Sequence, residues 1–146
     1  MNPTLSPGQT NGHFHRLPEA RCRELLAAQH EGRVAWNAPD GPQLLPVSYG
    51  LHNGEVAFRT SPYGVLSMLR GPTLVAFEID HIDPEAGTGW SVLVRGRAQA
   101  VTRSFDLATL WSSDDVVPWA TGTRNLFIQI SERSISGREV KAPYVD

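Results

Sequence analysis

The stretch Gly89–Val101, GWSVLVRGRAQAV, is the longest strand signal in the chain, and its reading decides the architecture. Side chains alternate across a strand, so Trp90, Val92, Val94, Gly96, Ala98 and Ala100 share one face, opposite Ser91, Leu93, Arg95, Arg97 and Gln99. One face is apolar and the other carries two arginines. Gly96 interrupts the apolar face, where a strand glycine marks a bulge, a barrel bend, or the close approach of a ligand or another backbone. A long strand that bends belongs to a closed or nearly closed sheet.

Upstream, the loop His81–Thr88 follows an apolar strand, Thr73–Asp80 (TLVAFEID). Before it, Ser61-Pro62-Tyr63-Gly64 turns the chain into a short helix, Val65–Arg70, which Gly71-Pro72 ends. The strand Glu55–Thr60 (EVAFRT) is entered through His52-Asn53-Gly54, since Asn-Gly readily takes the positive φ angles of a tight hairpin. Arg33–Asn37 (RVAWN) and Gln43–Leu51 (QLLPVSYGL) are strands joined by a turn over Ala38–Pro42, and Pro46 demands an edge, a bulge or an unpaired amide. Pro18 opens a helix that shows Cys22, Leu25, Leu26 and Gln29 on one face and stops at Gly32.

Downstream, Ser104 is the expected cap of a helix carrying Phe105, Leu107, Leu110 and Trp111, and Arg124–Ile130 and Ser134–Val140 are two closing strands. About seven strands and three short helices, with connections too short for parallel crossovers, predict a mainly β fold: an antiparallel β-barrel with helices at its rim. Residues 1–16 hold too few apolar groups to offset the entropy of ordering them, so they are expected to form a flexible N-terminal arm to one domain over residues 17–146.

At 146 residues such a domain buries about two thirds of the surface its unfolded chain exposes. One cysteine excludes an internal disulfide framework, and Cys22, at helical spacing with Leu25 and Leu26, reads as a packed thiol. The net charge of -2, with both signs mixed along the chain, offers nucleic acid no electrostatic footprint. No apolar run approaches the roughly 18 residues of a membrane span, and the N-terminus lacks the order of a signal peptide, so a soluble, cytoplasmic protein is expected. His13 and His15 lack partner ligands for a metal. Glu78, Asp80, Asp83 and Glu85 read as solvated loop charge, with a hard cation at Asp80 and Asp83 as the alternative.

The chain has no glycine-rich phosphate loop, no serine nucleophile elbow and no histidine pair at metal spacing. Its most informative segment is Phe58-Arg59-Thr60-Ser61, at a strand end that runs into Gly64 and a helix start. An arginine, two hydroxyls and free helix N-terminal amides make a phosphate cradle; the alternative is an arginine in a surface ion pair.

LLPVSYGL, FRTSPYGVL, VAFEID, GWSVLVRGRA and FIQISERSISGR, in this order and spacing, resemble the pyridoxamine 5'-phosphate oxidase-like family, with its FMN-binding split-barrel fold. The resemblance runs from about Leu17 to Val140 and is nearest to small single-domain actinobacterial-type members. It implies an antiparallel split β-barrel that dimerises and binds two FMN molecules in grooves between the subunits. By that resemblance Pro46, Val47, Ser48 and Tyr49 run beside the flavin ring, and Arg59, Thr60 and Ser61 hold the phosphate. Trp90 and Ser91 match a flavin contact at the dimer interface, and Gly137 and Arg138 match a C-terminal segment near the site.

The residue chemistry agrees, because a proline-bearing strand leaves backbone groups free for a planar heterocycle and a tryptophan offers a stacking surface. Ordinary packing stays the alternative for Trp90 and Tyr49. One departure stands out: similar small members carry a lysine after the FRT turn, where this chain has Val65 and Leu66. Losing that contact costs about 1.5–3 kcal/mol, roughly ten- to a hundredfold in affinity, and Arg70, Arg95 and Arg97 are the cations available to replace it.

The implied function is an FMN-dependent oxidoreductase that moves hydride or electrons between a reduced nucleotide or small-molecule donor and a small acceptor. The alternatives are a non-enzymatic flavin-binding module, a deazaflavin-dependent reductase, a haem-handling protein and a cofactor-free dimeric interaction protein. No acid or base stands out; His52 and His81 are candidates only because histidine titrates near neutrality.

Overall fold

The structure, a computed structural model, describes residues 13–112, 116 and 125–141. Its strands are β1 (His13–Arg16), β2 (Glu31–Ala38), β3 (Gly41–Ser48), β4 (Gly50–His52), β5 (Glu55–Thr60), β6 (Thr73–Asp83), β7 (Thr88–Ala100) and β8 (Leu126–Lys141). Beside them lie the helices α1 (Glu19–Ala28) and α2 (Ser104–Trp111) and a 3-10 helix over Val65–Arg70. Seven strands form one antiparallel sheet in the order β3-β2-β6-β7-β8-β5-β4, with β1 added on β8. The sheet curls far enough for β3 to touch β5, which makes it a half-barrel.

The alternation read from Gly89–Val101 holds in β7. Val92, Val94, Gly96 and Ala98 are buried, while Arg95, Arg97 and Gln99 are exposed. The inward face packs against Val34, Phe77, Ile79, Phe58, Ile128 and Ile130, and α1 adds Cys22, Leu25 and Leu26 to the same core. Burial pushes the Cys22 thiol pKa up, away from the thiolate a nucleophile needs. Arg23 fastens α1 to β8 through Glu132, with hydrogen bonds of 3.1 and 2.7 Å.

Gly96 fulfils two of its three expected roles. Arg95 pairs with Ser134 and Gly96 with Glu132, so Arg133 is an extra residue on β8 and the ladder bulges there. A Cβ on Gly96 would lie 2.2 Å from the Ser131 carbonyl oxygen, so the close approach is by backbone. This bulge is also why the end of the chain reads as two strands with a break near residues 131–133. The two form one continuous strand, β8, and the expected start at Arg124 lies outside the described residues.

Other boundaries differ from expectation: the strand expected over Gln43–Leu51 breaks at Tyr49 into β3 and β4, and α1 ends at Ala28, so Gly32 lies in β2 and does not stop the helix. His13–Arg16, assigned to the flexible arm, pairs with Arg138–Lys141, because β8 presents unpaired backbone groups along that edge; residues 1–12 lie outside the described residues. The loop expected over His81–Thr88 is shorter: His81, Ile82 and Asp83 pair with Trp90, Gly89 and Thr88. Asp83 Oδ1 accepts the Ala86 amide at 3.1 Å, and Gly87 takes φ 67° to close the turn. Ser104 does not cap α2; Arg103 holds that position without a side-chain bond. By contrast, Asn53 (φ 53°) and Gly54 (φ 78°) form the expected hairpin turn, and Pro46 lies on the edge strand β3.

Gly96→Val should therefore overpack the β7–β8 contact and cost about 3 kcal/mol in chemical denaturation. Gly71→Ala, at a position with φ -90° and nothing within 4 Å, should change stability by less than about 1 kcal/mol.

Candidate functional site

The outward face of β6, β7, β8 and β1 holds two adjoining clefts. Ser91 lies between Asp80 on β6 and Arg138 on β8, and Arg138 in turn pairs with Arg16 on β1. Trp90, Ser91 and Arg138 line a cleft of about 410 Å³ whose apolar walls are Phe14 and Ile82, 68% and 69% exposed. The Arg138 guanidinium lies 5.4 Å from the Phe14 ring centroid. A second cleft of about 710 Å³ adjoins it and shares Ser91, Arg138 and Glu78; Gly137 is in its lining. Gly137 also serves packing, since a Cβ there would meet Cys22 Sγ at 2.7 Å and hold α1 off the sheet.

The acids Glu78 and Asp80 lie in strand β6, not in a loop, and face outward with Ser91 and Leu93. Arg33 on β2 reaches both, 3.0 Å from Asp80 and 3.4 Å from Glu78. Burial, then the hydrogen bond and charge of Asp80, push the Glu78 carboxyl up to about 7, against the opposing pull of Arg33. A group that exchanges its proton near neutrality thus sits where the two clefts join. The alternation in VAFEID places Glu78 and Asp80 on one face and was the available signal; proximity in sequence to Asp83 and Glu85 obscured it.

The other predicted residues lie elsewhere. On β3, Pro46 is exposed, Ser48 half-buried and Val47 in the core. Tyr49, just beyond β3, is 1% exposed. Its hydroxyl donates to the Leu26 carbonyl at 2.6 Å, its amide donates to His30 at 2.8 Å, and its ring meets Phe77 edge-on at 4.9 Å. Burial pushes the Tyr49 hydroxyl pKa up, with a smaller contribution from Glu31.

At the end of β5, Arg59 holds its guanidinium 4.4 Å from the Trp111 ring and 5.2 Å from that of Phe127, beside buried Thr60. The Ser61 hydroxyl accepts the Tyr63 amide at 3.1 Å. Val65 is exposed, and Arg70 donates to the carbonyls of Pro62 and Ser67. None of residues 46–49 or 59–61 lines the two clefts that hold Ser91 and Arg138.

His52 is buried, not an exposed loop histidine: its Nε2 lies 3.0 Å from Asp106 on α2 and 3.3 Å from the Asn53 amide nitrogen. His81 is exposed. Among the described residues no group of three or more His, Cys, Asp or Glu is arranged to hold a metal.

An antiparallel half-barrel with an aromatic and arginine-lined cleft on its outward face defines a protein of the split-barrel class. The chain belongs to the pyridoxamine 5'-phosphate oxidase family, whose profile matches residues 18–139. It is 29% identical to the protein Rv0080 of Mycobacterium tuberculosis, over 94% of this chain and 97% of that one. Among solved structures it resembles an FAD-binding protein from Mycobacterium smegmatis at 28% identity and a TM-score of 0.72, covering 87% of this chain and 99% of that one. A pyridoxamine 5'-phosphate oxidase-like protein from Corynebacterium glutamicum is similar at 26% identity and a TM-score of 0.72, covering 94% and 100%. No helix among the described residues is long and apolar enough to cross a membrane.

The raised Glu78 pKa sets a pH dependence. Between its ordinary 4.5 and about 7 the folded chain retains a proton that the unfolded chain releases, so this group's contribution to stability falls as pH rises through that window. Glu78→Gln should flatten that slope in denaturation midpoints measured from pH 4.5 to 8, whereas an unaltered slope would show that Glu78 titrates as an ordinary carboxyl.

Proposed function

We propose that the protein is a homodimeric flavin-binding oxidoreductase that moves hydride or electrons between a reduced nucleotide or small-molecule donor and a small acceptor. The observation that carries this reading is the cleft of about 410 Å³ where Trp90, Ser91 and Arg138 meet, within the roughly 300–1,000 Å³ of ligand pockets. Its apolar walls and single arginine suit a flat heterocycle with a polar edge. Membership of the family and likeness to an FAD-binding protein support the same cofactor class.

The cradle residues fit a phosphate. Arg59 holds its guanidinium 4.4 and 5.2 Å from two ring centroids at a strand end, where a guanidinium suits an oxyanion. Arg70, bonded to the carbonyls of Pro62 and Ser67, keeps N–H donors for the role that a lysine has in similar small members. The cradle on β5 and the Trp90 cleft have separate linings, so a site made of both calls for a second subunit. Leu44, Leu74, Ile82 and Phe14, exposed on the outward face of the sheet, supply apolar surface for such a contact.

A bound flavin supplies the electron-transfer chemistry. This chain's residues orient it: Phe14 offers a ring face, Arg138 a donor to a polar edge, and Glu78 a proton held or released near neutral pH. FMN is the proposed form, and the FAD-binding relative favours FAD as a second reading.

Arg59→Ala with Thr60→Ala should weaken FMN about a hundredfold in a fluorescence titration, and unchanged affinity would sink the cradle. Bleaching of the bound flavin by a reduced nicotinamide nucleotide, then reoxidation by an acceptor, is expected of the enzyme; binding without turnover marks a storage module. Light scattering should give twice the chain mass, reduced to one by Leu74→Glu, and a monomeric native chain would refute the shared site.

A further inference from the structure

The cleft of about 710 Å³ carries more positive charge than its own carboxylates neutralise. Arg16, Arg95 and Arg138 line it, and all three are exposed. Its acids are Glu19 and Glu78, each already paired with an arginine from outside the lining: Glu19 with Arg23 at 2.8 Å, Glu78 with Arg33 at 3.4 Å. Among the described residues neither Arg16 nor Arg95 forms an ion pair. Arg138 meets a phenyl ring, not an acid.

The register makes the excess specific. Arg16 stands directly opposite Arg138 in the β1–β8 pair, where Cα atoms are about 4.5–5.5 Å apart and like charges destabilise. Ser91 is the partner of Arg138 on the other side, and Ser136 follows two residues along the same face of β8. Two guanidinium forks and two hydroxyls are donors to an oxyanion. Arg95 stands four residues along β7 from Ser91, about 13 Å away at roughly 3.3 Å per residue, so it meets the far end of a ligand longer than one phosphate. A neutral ligand would leave the repulsion in place, and a lone carboxylate would offset only one of three charges. A phosphate ester or pyrophosphate supplies both the charge and the acceptor oxygens.

We propose that the cleft of Arg16, Arg95 and Arg138 is a second phosphate site, taking the pyrophosphate or phosphate ester of a nucleotide-sized ligand, separate from the cradle at Arg59. The site rests on charge and register and stands without the flavin reading, although Ser91 and Arg138 border both clefts. Glu78 has its charge offset from outside the lining by Arg33.

The test is calorimetric titration of inorganic pyrophosphate into the full chain carrying Arg59→Ala, which removes the cradle's own phosphate affinity. Saturable binding that weakens as salt rises, and falls about tenfold or more on adding Arg16→Gln, is expected. ADP in place of pyrophosphate separates the sources: tighter binding that Arg95→Gln weakens marks a nucleotide, equal binding marks a free polyanion, and both support the site. No saturable binding, or binding that Arg16→Gln with Arg95→Gln leaves unchanged, overturns it. Both arginines are exposed, so these variants keep the fold. Where Arg59→Ala fails to fold, the rise in Tm that pyrophosphate produces in the native chain, lost in Arg16→Gln with Arg95→Gln, decides the matter. A chain that binds no FMN but binds pyrophosphate through Arg16 refutes the flavin reading and leaves the second site standing.

Discussion

The pairing of β7 with β8 is the contact on which the rest of the molecule depends. It runs from Gly89 opposite Val140 to Ala100 opposite Ile128, joining a strand of 13 residues to one of 16. Backbone amides and carbonyls in this ladder have to be paired because the inward face is dry. The extra length of β8 lets it serve three partners, with β5 on its first turnings, β7 along most of its course and β1 at its end. Gly96 makes this possible, since only a residue without a side chain admits the Ser131 carbonyl so closely beside the bulge.

From that ladder follow two faces with opposite roles. Inward, Val92, Val94, Ile128 and Ile130 join Phe77 and Phe58 in one core, closed from the side by α1. Outward, the same strands bring a carboxylate pair on β6 and arginines on β8 and β1 to two adjoining clefts. Arg33 pairs with both acids, and among the described residues neither Arg16 nor Arg138 forms an ion pair. Polar groups at the other end are tied internally instead: Gln129 donates to the His52 carbonyl and to Glu55, and Glu55 accepts the Glu132 amide.

Much of the architecture was legible along the chain because it is written in local terms. Alternation identified β7 and its inward residues, Asn53-Gly54 identified a hairpin, and Pro46 identified an edge. The strand β1 was not legible, since His13–Arg16 has no strand pattern of its own and is ordered by the open edge of β8. Trp90, Ser91 and Arg138, named from the family resemblance, line one cleft, and Phe14, Arg16 and Glu78 border the same two clefts without having been named for a site. Their contribution depends on which strand lies next to which, and strand order is a non-local property.

By itself, the sequence determined the antiparallel β class, the inward face of the central strand, the turn chemistry and the resemblance that led to the family. These depend on periodicity and on the φ preferences of Gly, Asn and Pro, which act over a few residues. Only the tertiary structure decided that Tyr49 is a core residue, that His52 is buried against Asp106, that Arg59 rests on Trp111, and that Arg16 faces Arg138. Burial, charge compensation and stacking arise between residues far apart in the chain, and they take a definite value only when the sheet has curled and its strands have found their register.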